Sequence, residues 1–300
     1  MLSLDDFKRI SLDDKSVFDK HYANYPPVHS DNLFTTMISW MDYSDYHYAL
    51  VDDNIVIMTQ LNAEIRFRPP SGKPNIDLLR QVLTLAIKEG SDYPFGVIEA
   101  EKKEWISKNF PKLKFLEHRD YFDYVYLSSD LAELPGTSYR KIRNRLNKFK
   151  RNYSYTTEAI SEENTDEVNE FLKRWCLWKD CESDVVLENE KKAILYSMAH
   201  FFDLALLGLV IRINENIEAV AVYEKMNSST ALVHYEKGSP DYDGIYKAIN
   251  METAKVLQKD FTFINREEDM GIPGLRQAKM SYRPHHMVEV FHVEKKTIEF

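Results

Sequence analysis

Apolar positions along this chain fall into short runs broken by turn residues, and the order of those runs occurs twice. In the first half, Tyr46–Asp52 and Ile55–Gln60 are apolar runs separated by Asp53-Asn54. Asp and Asn tolerate left-handed backbone conformations, so this pattern predicts a hairpin. An alternating run, Ile65–Arg68, follows, and then a breaker-rich loop, Pro69–Asn75. Leu78, Leu79, Val82, Leu83, Leu85 and Ala86 recur at helical spacing before Gly90, and Phe95–Glu99 has the composition of a further strand. The second half runs in the same order. Leu204–Ile213, Ile217–Glu224 and Thr230–Glu236 are three strand-like runs, with turns at 214–216 and 227–229. The loop Lys237–Gly244 leads to a helical stretch near Ile245–Lys259, and Phe261–Ile264 closes the series. The offset between halves is about 165 residues, too long for a solenoid and suited to duplicated domains.

A helical region lies between the halves. Tyr139, Ile142, Leu146, Phe149 and Tyr153 recur at steps of three and four, which marks one buried stripe. Asn164 and Glu167 have the spacing of a capping pair, ahead of a face with Val168, Phe171, Leu172 and Trp175. Glu190–Phe202 reads as a further helix. Pro135-Gly136 breaks the chain where strand character ends, so the expected domains are 1–130 and 131–300. The fold class is α+β, with a mostly antiparallel mixed sheet flanked by helices in each domain.

Composition narrows the class. Hydrophobic residues make up 44% of the 300 positions and charged residues 29%, as in a globular protein. With 39 Lys and Arg against 48 Asp and Glu, the net charge is −9, which argues against a surface that coats nucleic acid throughout. Two cysteines make no disulfide framework. The first residues, MLSLDDFKRI, lack a basic segment followed by an apolar core, and the run Leu204–Ile211 is far shorter than a membrane helix requires. The expectation is a cytoplasmic protein with no transmembrane segment.

Three stretches carry candidate chemistry. The longest is Asn265–Pro284, which leaves a strand, crosses a glycine-bearing turn and enters a short helix. Arg276, Lys279 and Arg283 are spaced to project to one side. Arg276 and Lys279 are candidates to bind an anionic group or to stabilise an oxyanion. Glu267, Glu268 or Asp269 are candidates to position an amine or accept its proton. Glu267, Asp269 and Lys279 are thus the catalytic candidates. Asn265, Arg266, Glu268, Arg276, Tyr282 and Arg283 are the substrate-binding ones. The same residues could equally form a buried ion-pair network that fixes the loop. The second stretch is a basic helix, in which Arg140, Lys141, Arg143, Arg145, Lys148, Lys150 and Arg151 lie outside the apolar stripe. It either meets phosphates, as on a tRNA acceptor stem or an anionic lipid surface, or is a solvated face paired with nearby carboxylates. The third is Asp123-Tyr124-Val125-Tyr126.

Weaker candidates are read as structural. Cys176 and Cys181 are expected as buried free thiols. His285-His286 lacks a third ligand at metal spacing, so no metal is expected, and His234 reads as a packed or hydrogen-bonded strand residue. No G-x-S-x-G, P-loop, G-x-G-x-x-G or H-E-x-x-H motif occurs.

A meander of three strands, a loop and a helix resembles the core of GNAT acyltransferases, whose loop holds the coenzyme A pyrophosphate in a Gln/Arg-x-x-Gly-x-Gly/Ala motif. Arg68–Lys73 approximates that motif distantly, and Lys237–Pro240 less closely. The three stretches together resemble the DUF2156 family, related to the C-terminal domain of bacterial phosphatidylglycerol lysyltransferases. The resemblance spans nearly the whole chain and implies two tandem GNAT-like domains, with the site expected at the cleft that they form. It also implies a relation to Fem-type peptidyltransferases, which take amino acids from aminoacyl-tRNA. The expected function is transfer of an aminoacyl group from aminoacyl-tRNA to an amine or hydroxyl of a small-molecule or lipid-headgroup acceptor, with no cofactor required. The alternatives are an N-acetyltransferase using acetyl-CoA or another acyl-CoA, and a non-enzymatic module that binds an anionic ligand.

Overall fold

The computed structural model describes residues 1–61, 64–181 and 185–299. In chain order the strands are β1 (Lys8–Arg9), β2 (Tyr46–Val51), β3 (Asn54–Leu61), β4 (Glu64–Phe67), β5 (Phe95–Glu99), β6 (Phe115–Glu117) and β7 (Asp123–Leu127). They continue with β8 (Thr156–Ala159), β9 (Leu207–Ile213), β10 (Asn216–Lys225), β11 (Thr230–Gly238), β12 (Phe263–Asn265), β13 (His286–Val288) and β14 (Val290–Val293). They form two seven-stranded sheets, ordered β1-β2-β3-β4-β5-β14-β6 and β13-β7-β12-β11-β10-β9-β8. The chain divides into two compact units. One comprises Met1–Asp123 with Val288–Phe300, and the other Tyr124–Met287. The expected division after residue 130 differs from this in two ways. β7 joins the second sheet, where Ile264 pairs with Tyr126, and β14 joins the first, where Phe291 pairs with Ile98. No local signal in an apolar run says which sheet it completes.

In the first unit, β2 and β3 form the expected hairpin, with Asp52 and Asp53 at φ 47° and 63° as a tight hairpin turn requires. The turn is one residue earlier than Asp53-Asn54, because Asn54 pairs with Val51 and is buried. Gly72 at φ 139° lies over Asn54, and a Cβ there would fall 2.4 Å from Asn54 Oδ1. The helix Ile76–Glu89 is capped by Asn75, whose side chain accepts from Leu78 N at 2.9 Å. It buries the predicted stripe against Phe67, Phe95, Ile98 and Val293. β4 and β5 run parallel and pair only at Phe67 and Phe95, so the sheet is splayed beyond that point.

The second unit repeats this order. β9, β10 and β11 form an antiparallel meander, a loop leads to the helix Ile245–Leu257, and β12 lies parallel to β11. Here too the parallel pairing is short, from Thr230 to Leu232 on β11, while β11 continues to Gly238. Ala248, Ile249, Met251, Ala254 and Leu257 pack with Ala219, Ala221 and Val233 of the sheet. The helix Arg140–Asn152 buries Ile142, Leu146 and Phe149, as its stripe predicts.

Two local expectations differ from the structure. Asn164 directly precedes the helix Thr165–Lys179 and does not cap it, its Oδ1 accepting from Ser161 N at 2.9 Å. Its amide instead bonds Glu158 and Ala159, and Glu167 pairs with Arg212 at 2.7 Å. A charged partner displaced the reciprocal cap. The helix expected at 190–202 is Val185–Ala199, and β9 starts at Leu207 because Ala205 at φ 57° turns the chain first. Among the described residues no helix is long and apolar enough to cross a membrane.

Candidate functional site

Polar side chains gather in the second unit where β11 runs on past the end of β12. The β10–β11 register steps past His234, pairing Tyr223 with Val233 and Val222 with Tyr235, so the alternation of faces breaks there: Glu236 shares the face of Val233, under the helix Ile245–Leu257, and His234 lies on the other face with Glu224. Arg266 and Glu267, just past β12, reach them. Glu267 Oε1 lies 3.2 Å from His234 Nδ1, and Glu224 Oε1 lies 2.8 Å from His234 Nε2. Arg266 Nη2 donates to Glu236 Oε2, and Asn250 Nδ2 donates to Glu236 Oε1 at 3.0 Å. The Arg266 guanidinium lies 5.1 Å from the Tyr282 ring centre and 5.7 Å from that of Tyr126. Lys247 Nζ sits 4.6 Å from the Tyr282 ring centre. Two clusters therefore lie back to back, His234 between Glu224 and Glu267 on one face, and Arg266 with Glu236, Lys247 and an aromatic wall on the other.

Electrostatics sharpen the picture. Burial alone would discharge His234, but the hydrogen bonds it donates to two carboxylates outweigh it and lift its pKa to about 9. Burial, helped by the nearby Arg266 charge, brings the Lys247 amine down to about 8. A histidine held protonated between two glutamates stabilises the fold fully below its unfolded pKa of about 6.5. That contribution is lost as pH rises through about 9. Unfolding free energy should therefore fall by on the order of 2 kcal/mol between those pH values. His234→Gln should flatten that segment of a urea-denaturation profile. Identical profiles for variant and wild type would show that the imidazole is not held charged.

The loop that follows holds itself by a separate network. Asp269 is fully buried, and Arg276 grips it with two bonds, Nε to Oδ2 at 2.9 Å and Nη2 to Oδ1 at 2.7 Å. Tyr124 Oη donates to the same carboxylate at 2.5 Å and Gly271 N at 2.9 Å. Burial opposes ionisation of Asp269, yet these donors hold its pKa down near about 2. Lys279 Nζ donates to the backbone carbonyls of Arg266 and Glu268. Asn265, fully buried, accepts from Glu267 N at 2.8 Å. Glu267 at φ 57° and Met270 at φ 49° take up left-handed conformations that these bonds stabilise.

The expected site residues therefore divide. Asn265 and Glu267 lie with His234 at the strand splay, and Arg266 meets Tyr282 on the other face of the sheet. Asp269, Arg276 and Lys279 bind the loop, and Glu268 joins them through its carbonyl. The expected common side for Arg276, Lys279 and Arg283 is not formed, because the helix is Pro273–Ser281 and Arg283 lies beyond it, exposed, at φ 57°. All these residues belong to the second unit. Sequence reasoning read His234 as a packed or hydrogen-bonded strand residue, as its two carboxylate contacts show it to be, and did not single out Glu224, Glu236, Asn250 or Lys247. The available signal was a polar residue on the inward side of an otherwise apolar strand.

On the basic helix, Arg140, Lys141, Arg145, Lys148, Lys150 and Arg151 are exposed. Arg145 and Lys148 pair with Asp243 at 2.7 and 3.2 Å, and Arg143 folds back onto the carbonyls of Leu134 and Gly136. Gly244, at the start of the helix Ile245–Leu257, lies against this basic helix, and a Cβ there would come 3.2 Å from Arg145 O. Cys176 and Cys181 are buried free thiols, and His285 and His286 contact one another at 2.9 Å. Among the described residues, no three His, Cys, Asp or Glu side chains are grouped to hold a metal ion.

A family model described as phosphatidylglycerol lysyltransferase, C-terminal, matches residues 22–294. The crystal structure of a conserved protein of unknown function from Bacteroides thetaiotaomicron is 31% identical, covers 96% of this chain and 98% of that one, and superposes with a TM-score of 0.88. The structure of L-PGS from Bacillus licheniformis is 13% identical over 93% of this chain and 91% of that one, with a TM-score of 0.63, which shows a shared fold. An uncharacterized protein of Mycoplasmoides gallisepticum is 21% identical over 192 residues, or 64% of this chain, and the match spans only 61% of that relative's length. The two sheets carry the GNAT-like arrangement in tandem. With the family match running through both units and across the whole polar cluster, the chain belongs to the phosphatidylglycerol lysyltransferase C-terminal family.

Proposed function

We propose that this protein is an acyltransferase that moves an aminoacyl group from aminoacyl-tRNA to an amine or hydroxyl acceptor. The observation that carries the reading is the lysyltransferase family match over residues 22–294, which includes every member of the strand-splay cluster. The donor ester is already activated, so proximity and charge stabilisation suffice and no covalent enzyme intermediate or cofactor is needed. The acceptor nitrogen or oxygen forms a bond to the donor carbonyl carbon, and the carbonyl oxygen takes the negative charge. The tetrahedral species collapses by breaking the ester bond to the ribose. Glu267 takes the acceptor's proton, which then passes to the departing ribose oxygen. The protonated His234 beside Glu267 provides the positive charge for this step. His234, clamped by Glu224, orients Glu267, while Asp269, Arg276 and Lys279 position the loop that presents it. A small molecule or a lipid headgroup serves as acceptor, reached from the cytoplasm where charged tRNA is found.

Acyl-CoA is the alternative donor. The departure of Lys237–Pro240 from the Gln/Arg-x-x-Gly-x-Gly/Ala motif that holds the coenzyme A pyrophosphate favours tRNA. In this reading the exposed cations meet the tRNA backbone. Replacing Arg140, Lys141 and Arg151 together with alanine should weaken tRNA binding. It should also lower the slope of log K against log salt by roughly 2 to 3. The measurement is filter binding of charged tRNA over a salt series. A slope unchanged by the triple substitution would remove the helix from the interface, and absence of binding at low salt would overturn the donor assignment.

A further inference from the structure

The first unit holds a cavity of about 530 Å3, within the size range of small-molecule sites. Its walls are largely apolar and aromatic, with Tyr25, Ile57, Val97 and Trp105 among them, and His21 and Ser71 line it as neighbours. His21 Nε2 stands 3.0 Å from Ser71 Oγ, the reach of a general base on a hydroxyl nucleophile. Both side chains are held in place. Ser71 is fixed by two backbone bonds with Ile55, donating its N–H to Ile55 O at 2.8 Å and accepting from Ile55 N at 2.9 Å. The buried His21 ring packs 5.2 Å from that of Tyr25 and hydrogen-bonds the Asp53 backbone carbonyl, the third group that orients a base. Burial, helped by the charge of Lys102, lowers the His21 pKa, which keeps the imidazole in the neutral form that accepts a proton. The N–H groups of Gly72 and Lys73, next along the chain from Ser71, meet no acceptor among the described residues and are available to a developing oxyanion. The lining carries three cations, Arg68, Lys73 and Lys102, against two carboxylates, Glu99 and Glu101, so negative charge is favoured there and a cationic substrate is not.

We infer that Ser71 and His21 form a nucleophile–base pair that hydrolyses uncharged esters of apolar acids, with the acyl chain lying along the apolar wall of this cavity. Ser71 Oγ forms a bond to the acyl carbonyl carbon as its proton passes to His21 Nε2. The ester C–O bond then breaks, the alcohol leaves with that proton, and the acyl group stays on Ser71. Water attacks the same carbon and gives a proton to His21 Nε2. The bond to Ser71 breaks, the proton returns to Oγ, and the carboxylic acid departs. One ester and one water are consumed, and one acid and one alcohol are formed. The site lies wholly in the first unit and stands independently of the transfer reading for the second.

The test gives the full chain p-nitrophenyl acetate and p-nitrophenyl hexanoate at neutral pH and follows nitrophenolate. The hexanoate should be cleaved with a kcat/KM at least about tenfold above the acetate, since its longer chain buries more apolar surface. Ser71→Ala and His21→Gln should each lower hexanoate cleavage by about 100-fold or more. Labelling of the wild-type chain with an alkyl fluorophosphonate needs no variant to fold, and mass spectrometry should place the adduct on Ser71. Release of nitrophenolate at the protein-free rate, equal cleavage of the two esters, a Ser71→Ala variant as fast as wild type, or an adduct absent from Ser71 would each overturn the inference.

Discussion

Glu267→Gln is expected to lower the rate of aminoacyl transfer about 100-fold or more at saturating acceptor, with little change in the fold. Glutamine keeps the size of the side chain and still offers His234 an oxygen at the place where Glu267 Oε1 now stands 3.2 Å away. It cannot take a proton. A positioned carboxylate acting as general base contributes roughly 10² to 10⁴ in rate, so the loss should appear in kcat more than in KM. His234→Gln, acting one residue further out, should cost less and should shift the pH profile of the reaction. A Glu267→Gln variant with near-normal kcat would move the proton acceptor elsewhere in the cluster. The Lys247 amine, at about 8, would then be the first residue to examine.

Asp269→Ala is expected to cost about 3 kcal/mol of unfolding free energy. Removing one partner of a buried pair leaves the others without compensation. Here Arg276 loses both of its bonds, and the Tyr124 hydroxyl and Gly271 N each lose their acceptor. The effect has a pH signature. A carboxyl held near about 2 contributes stability that is complete above its unfolded value near about 4 and is lost as pH falls toward 2. Urea denaturation of wild type should therefore show a stability loss in that acid window that Asp269→Ala lacks. A cost below about 1 kcal/mol, or an unchanged acid profile, would show that the loop is held by other contacts.

Much of the fold was legible because period and punctuation report directly on secondary structure. The β2–β3 hairpin, with its turn one residue before the expected Asp53-Asn54, the stripe from Leu78 to Ala86 and the doubled meander all follow from side-chain alternation and turn residues. The destination of β7 and β14 was not legible, because a strand's partner is set by long-range packing. The candidate site was half legible. The block Asn265–Pro284 stood out by composition, but composition could not distinguish Glu267, which faces the strand splay, from Asp269, which is locked by Arg276. The helix spacing that grouped Arg283 with Arg276 failed because the helix stops at Ser281. His234 was visible as a polar residue in an apolar strand, yet its two carboxylate partners lie 10 and 33 positions away along the chain.

The most direct measurement is a single-turnover reaction in which the protein, in excess, is given tRNA charged with a labelled amino acid, with unlabelled acetyl-CoA and a panel of amine and hydroxyl acceptors present. The expected result is label leaving the tRNA faster than spontaneous ester hydrolysis and appearing on an acceptor, with no acetylated product. Label that stays on the tRNA at the spontaneous rate, or acetyl transfer in its place, would contradict the proposed function.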